Sequence, residues 1–233
     1  MTLLRLYADC FRRTGGAIRR SPWTLALPIV YALILVVAGV LLSPLGMIGT
    51  FIANIISDLC ISSFLYFLAQ SVAGSPSRPS ELKDSFLVYF WPVISFYFVI
   101  WIASWLLGAA LRANPQGEKI ELALFGVAAV LLNAVPEVIY QKSEVGGLGI
   151  VAASVRFIQT HWIEWFIPNL LLGGVVYGAI AVLLYVPYSL FIVPPVVGAL
   201  AYFIMTFRGN LFSLLDRHSP HQLKMKYRGK TAA

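Results

Sequence analysis

The sequence predicts an all-α fold made for a lipid bilayer: a polytopic transmembrane bundle of six spans, paired as three hairpins, with amphipathic interfacial helices on the cytoplasmic face. Three observations predict it. Of the 233 residues, 59% are hydrophobic and only 12% are charged, whereas soluble domains carry about 25% charged residues. The stretch MIGTFIANIISDLCISSFLYFLAQ, Met47–Gln70, reaches about 35 Å as a helix and so crosses a hydrocarbon core of roughly 30 Å. Fifteen of the 17 Lys and Arg fall on one side of the alternating spans, leaving Arg112 and Lys119 on the other, which is the positive-inside bias.

That bias predicts that both termini lie in the cytoplasm, and the chain is expected in the cell inner (plasma) membrane. It also accounts for the net charge of +7. No nucleic-acid motif accompanies the charge, so no nucleic-acid partner is expected. The expected partners are membrane lipids, including anionic headgroups at the cytoplasmic face, and other protein subunits.

Residues 1–20 are expected to form an amphipathic interfacial helix, with Leu3, Leu4, Tyr7, Phe11 and Ile18 on one face and Arg5, Asp9, Arg12 and Arg13 on another. Ser21-Pro22-Trp23 opens the first span, about 22–42: Ser suits a cap, Pro the first helical position and Trp the interface. The run exceeds a signal-peptide h-region and no A-x-A-like site follows, so no cleavage is expected. Ser43-Pro44-Leu45-Gly46 turns the chain, and span two, 47–70, returns it. Gly74–Asp84 reads as a cytoplasmic loop.

Span three covers 86–111 and is rich in aromatics. An external turn at Asn114-Pro115-Gln116-Gly117 leads into span four, 120–141. A second interfacial helix is expected at 148–160, with Leu148, Val151, Val155 and Ile158 on its apolar side and Arg156 and Gln159 facing away. Span five covers 163–186. Span six, 189–207, is expected to be broken or partly re-entrant because Pro187, Pro194 and Pro195 interrupt it. A basic cytoplasmic tail, 208–233, follows. The pairs Trp23…Pro28, Trp91-Pro92 and Trp165…Pro168 open alternate spans, and Ile18…Pro28 matches Ile158…Pro168 in spacing. This weak repeat fits three duplicated hairpins. Cys10 and Cys60 sit at different depths and are read as free thiols.

The candidate site lies at mid-membrane. Thr50, Asn54, Asp58 and Ser62 recur every four residues, one polar stripe on an apolar helix. A carboxylate at the bilayer centre costs a few kcal/mol, so the other helices are expected to gather around it. Counting residues from the span ends puts Asp58, Asn54, Asn133, Tyr97, Tyr177 and Tyr202 near one plane. Such a cluster is either an ion, proton or substrate path or simple interhelical hydrogen bonding, and no mid-membrane Lys, Arg or His offers a counter-charge. Glu137, after Pro136, either frames a cytoplasmic cavity or reaches the interface to pair with Lys142 or Arg156. Gly174 and Gly178 form a G-x-x-x-G pair suited to close helix packing.

The motifs of metal, nucleotide and nucleophilic catalysis do not occur: no H-E-x-x-H, no zinc-spaced cysteines, no P-loop and no G-x-S-x-G. No catalytic residue, metal or cofactor is expected. Arg19-Arg20-Ser21-Pro22-Trp23 with Pro28, and Gly149–Trp162 with Pro168, give the chain a pattern that resembles the six-span membrane domain fused to some bacterial glycerophosphodiester phosphodiesterases, and its small stand-alone relatives. The resemblance implies a bacterial membrane module. The catalytic barrel of those enzymes is absent from this sequence, so their activity is not implied. The expected function is that of a multi-pass protein without a catalytic centre, an accessory, assembly or scaffold subunit of a membrane complex. The alternative is a small transporter or channel using the polar cluster around Asp58.

Overall fold

A computed structural model describes residues 2–112, 114–142, 146–183, 185 and 189–217. Pro187 and the tail beyond residue 217 lie outside the described residues. Among these residues every regular element is helical, and five stretches are long and apolar enough to cross a membrane: 22–73, 90–111, 117–141, 147–183 and 192–216. The protein is a helical membrane protein.

Helix α1 (Thr2–Arg20) ends at Ser21, whose φ of −141° and ψ of 68° turn the chain. A 3₁₀ turn at Pro22–Ala26 leads into α2 (Leu27–Leu42), and α3 (Gly46–Ala73) packs back along α2. The first long stretch is therefore two helices folded on each other. Gly46 makes the bend at φ +56°, where an L side chain would be strained. Gly74, at φ +79°, ends α3 with its N–H returned to the carbonyls of Gln70 and Ser71.

Short α4 (Leu82–Ser85) precedes α5 (Phe90–Leu111), which starts four residues later than the sequence suggests because Phe86–Tyr89 form turns. Span four is not one helix. Helix α6 (Gly117–Leu131) stops, and α7 (Val135–Gln141) restarts with Pro136 in its first turn. Pro136 has no N–H to give the Leu132 carbonyl and disfavours helical geometry at the residue before it. Asn133 sits in the resulting gap.

Helix α8 (Gly147–Leu183) bends at His161, with φ −128° and ψ 24°. It packs on α5, α7 and α9 (Ser189–Asp216), with Phe157 in its first arm and Trp165 in its second both against Phe212 of α9. The breaks at Ser21 and His161 fall at matching places in the repeat, each just before a Pro-containing span. Helix α9 corrects two expectations. It runs unbroken through Pro194 and Pro195, although neither can give an N–H to the carbonyl four residues earlier. It also continues past 207 to Asp216, with Phe207, Leu211, Phe212 and Leu215 fully buried.

The core gathers at the end of the bundle that carries most of the basic residues, around the second half of α9. Helices α1, α2, α3, α7 and α8 all pack on α9, α2 nearer its start, where Ile29 lies against Gly198. The surface segments are held by protein, through faces rotated from those the sequence suggests. In α1 the buried residues are Leu6, Cys10, Thr14 and Ala17, while Leu4 and Phe11 are exposed. Small side chains let α1 come close to α9, where Asn210 Nδ2 donates to Thr14 Oγ1 at 3.2 Å. In the first arm of α8 the buried set is Ile150, Ala153, Ser154, Phe157 and Ile158, and Leu148 is exposed. Gly147 opens that arm: its N–H donates to Ser95 Oγ at 2.7 Å, and a Cβ there would collide with the Ser95 carbonyl.

Serine and tyrosine hydroxyls tie the elements together. Tyr31 reaches Ser63 at 2.6 Å, Ser63 reaches Ser85, and Ser85 donates to the Leu82 carbonyl at 2.7 Å. Ser77 N–H donates to Ser21 Oγ at 2.9 Å, and Trp23 Nε1 donates to the Ser77 carbonyl at 3.1 Å. Both cysteines are free and buried. Burial pushes the Cys10 thiol from near 9 up to about 12. Its thiolate is then roughly a thousandfold scarcer than that of an unfolded chain at the same pH, and the thiolate is the reactive form. Maleimide labelling of Cys10 at pH 8 is expected to be slower by at least that factor in the folded protein than after denaturation; mass spectrometry of a Cys60→Ser variant checks this.

Candidate functional site

Where α6 gives way to α7, an acid is held deep inside the protein. Glu137 is completely buried, and its partner is neither Lys142 nor Arg156 but Arg208. Arg208 Nε donates to Glu137 Oε1 at 2.8 Å and Nη2 donates to Oε2 at 3.1 Å, a two-point pairing. Nη2 also donates to the backbone carbonyl of Asn133. The sequence reading put Arg208 in the tail. It lies instead within α9, its side chain only 14% exposed. Lys142 pairs with Asp216 at 2.8 Å, and Arg156 is exposed.

Trp165 completes the arrangement. It is fully buried, its ring centroid lies 4.9 Å from the Arg208 guanidinium carbon, and its Nε1 donates to Asn133 Oδ1 at 2.9 Å. A guanidinium over an indole face is attracted by the ring quadrupole, more strongly where water is excluded. Phe157 and Phe212 meet the ring edge-on at 5.2 and 6.3 Å. Asn169 Nδ2 donates to the Trp165 carbonyl at 2.7 Å, one turn back along α8. The broken fourth span makes this possible, since only a gap in the helix frees the Asn133 carbonyl to accept from Arg208.

Two cavities flank Asn133 and Met205. One, about 350 Å³, is lined by Ile61, Phe64, Tyr97, Asn133 and Pro136 among others. The second, about 510 Å³, runs between α9 and the second arm of α8, with Asn133, Asn169 and Arg208 among its lining. Within the membrane the walls of both are otherwise apolar.

The six residues expected at one mid-membrane plane are dispersed. Asn133 and Tyr97 share the first cavity. Asp58 is half-buried, within electrostatic reach of Tyr97, and has no hydrogen-bond partner among the described residues. Asn54 is exposed and lines a crevice between α2 and α3. Tyr177 is 77% exposed on the second arm of α8. Tyr202 is fully buried, but its hydroxyl reaches the Phe67 carbonyl at 3.3 Å and Ser71 at 2.8 Å, partners nine and thirteen residues along α3 from Asp58. Depth counting from span ends fails for Tyr202 because α9 extends past the expected end of span six. Of the stripe on α3, Ser62 is covered, accepting from Tyr89 N–H at 2.9 Å, while Thr50 is exposed. Gly174 and Gly178 are exposed, with nothing near where a Cβ would stand.

Sequence reasoning found Glu137 and Asn133 but missed Arg208 and Trp165. The available signal was the T-F-R-G-N run, where a lone Arg precedes the apolar Leu211, Phe212, Leu214 and Leu215. An Arg inside a continuing helix next to buried positions must find an acid. The fold and this buried polar centre define a multi-helix integral membrane protein. Comparison with protein-family models, with curated proteins and with solved structures finds no match to this chain.

Proposed function

We propose that the protein is an accessory, assembly or scaffold subunit of a membrane complex and has no catalytic centre. In this reading it crosses a bacterial inner membrane six times as three hairpins, α2–α3, α5–α6/α7 and α8–α9, with both termini in the cytoplasm. One observation carries the proposal: the polar contacts join the chain's own elements at the basic end, while the far halves of the spans are left uncovered. Trp101, Trp105, Leu122, Leu170, Leu171 and Val175 are all exposed. Such apolar faces suit contact with other spans, and Gly174 and Gly178 allow close approach. The exposed Arg12, Arg13, Arg19 and Arg20 suit anionic headgroups of the cytoplasmic leaflet. The resemblance to the membrane domain fused to some phosphodiesterases supports a module that works beside a catalytic protein.

Transport past Asp58 is the weaker reading, because the polar groups that would form its path do not meet. Extraction in mild detergent is expected to yield the protein with at least one other membrane protein in fixed ratio, and reporter fusions are expected to place residue 79 in the cytoplasm and residue 115 outside. Recovery of the bare monomer from every mild detergent overturns the accessory role, and the opposite reporter pattern overturns the topology.

A further inference from the structure

We infer that the groove between α9 and the second arm of α8 binds one phospholipid, its phosphodiester on Arg208 and Asn133 and one acyl chain along the groove. This rests on the membrane reading of the helices and is independent of the accessory role.

The groove has the polarity of such a ligand. Its polar lining, Asn133, Asn169 and Arg208, is set against apolar Leu170, Val176, Val197, Ala201 and Ile204. Along α9, Arg208 is at the basic end and Val197 is about 16 Å further into the membrane, at roughly 1.5 Å per residue. The volume, about 510 Å³, falls within the roughly 300–1,000 Å³ usual for small-molecule sites.

The polar groups have bonding capacity left over. Glu137 and the Asn133 carbonyl use Nε and Nη2 of Arg208. Nη1 of Arg208 and Nδ2 of Asn133 have no hydrogen-bond partner among the described residues. Glu137 and Trp165 fix the guanidinium plane without drawing on Nη1, so its two N–H groups are offered at no orientational cost. A phosphodiester presents two charged acceptor oxygens, which match donors of this kind. In the membrane reading the groove, whose lining includes the exposed Leu170 and Gly173, meets hydrocarbon, where phospholipids join an anionic headgroup to long apolar chains. The basic end, where the headgroups of one leaflet lie, is also where Arg208 sits.

Gly173 lines the groove, and a Cβ there meets nothing within 4 Å. Gly173→Phe therefore fills the groove and leaves the ion pair untouched. Gly126→Phe on α6, equally open and off the groove, is the control. The full-length protein, stripped of lipid in detergent, is incubated with palmitoyl-oleoyl-phosphatidylglycerol and examined by native mass spectrometry. One phospholipid is expected to stay on the wild type at collision energies that strip the others. Gly173→Phe is expected to lower its occupancy at least tenfold and Gly126→Phe to leave it unchanged. Diacylglycerol with the same chains is expected to be retained at least tenfold less on the wild type, a comparison that stands even if Gly173→Phe does not fold. Equal retention by wild type and Gly173→Phe, or uniform loss of all lipid from the wild type, overturns the site. Equal retention of diacylglycerol and phospholipid overturns the phosphate contact.

Discussion

Replacing Arg208 by Met is expected to lower stability by about 3–5 kcal/mol, because it strands the Glu137 carboxylate without a partner in a place closed to water. The loss exceeds that of the hydrogen bonds themselves. Glu137 is fully buried and both its oxygens accept from Arg208, so removal of the guanidinium leaves a desolvated charge or forces the acid to take up a proton. The decisive comparison is the double variant Glu137→Leu/Arg208→Met. If the pair is as dry as its burial indicates, removing both charges restores stability to within about 1 kcal/mol of the wild type or above it. A double variant no more stable than Arg208→Met would show that the damage lies in lost packing. The chain carries its own reporter: Cys10 and Cys60 are both buried, so a thiol-reactive dye reads thermal unfolding in detergent directly.

The second large effect separates two tryptophans that look alike in the sequence. Trp165→Ala is expected to cost about 3–5 kcal/mol, the range for deleting a buried aromatic. It opens a cavity beside Phe157 and Phe212, strips Arg208 of its ring contact and frees the Asn133 side chain. Trp101→Ala removes the same side chain from α5, where it is 63% exposed. Its expected effect in the same dye assay is within about 0.5 kcal/mol, since Phe98, the ring it stacks on, is itself exposed. Equal losses at the two positions would mean that the outer face of α5 is packed against something in the purified sample.

Much of the architecture was legible beforehand because hydrocarbon is a demanding solvent. A helix in lipid must satisfy its own backbone and show apolar side chains, so length and hydropathy mark the long helices. Pro and Gly marked several boundaries: Pro22 after the break at Ser21, Gly46 at the bend, Gly74 at the end of α3. The site was only half legible. Glu137 and Asn133 announced themselves as polar residues in an apolar run, but spacing along separate spans does not say which ones meet. Asp58 and Tyr202 shared a counted depth, yet the Tyr202 hydroxyl meets α3 nine to thirteen residues beyond Asp58, since α9 is longer than its apolar stretch. The surface segments misled for a related reason. An apolar stripe has the same appearance whether it meets lipid or protein, and α1 turned Cys10, Thr14 and Ala17 to the bundle, leaving Leu4 outward and Phe11 only partly covered against Phe203 and Phe207.

Sequence alone determined the solvent, the helical class and the charge asymmetry, because these follow from local composition and the cost of burying backbone and charge in lipid. Only tertiary structure decided that Glu137, Arg208, Asn133 and Trp165 form one centre. Their partnership depends on the gap between α6 and α7 and on the reach of α9, features set by how distant segments pack, which no local pattern encodes.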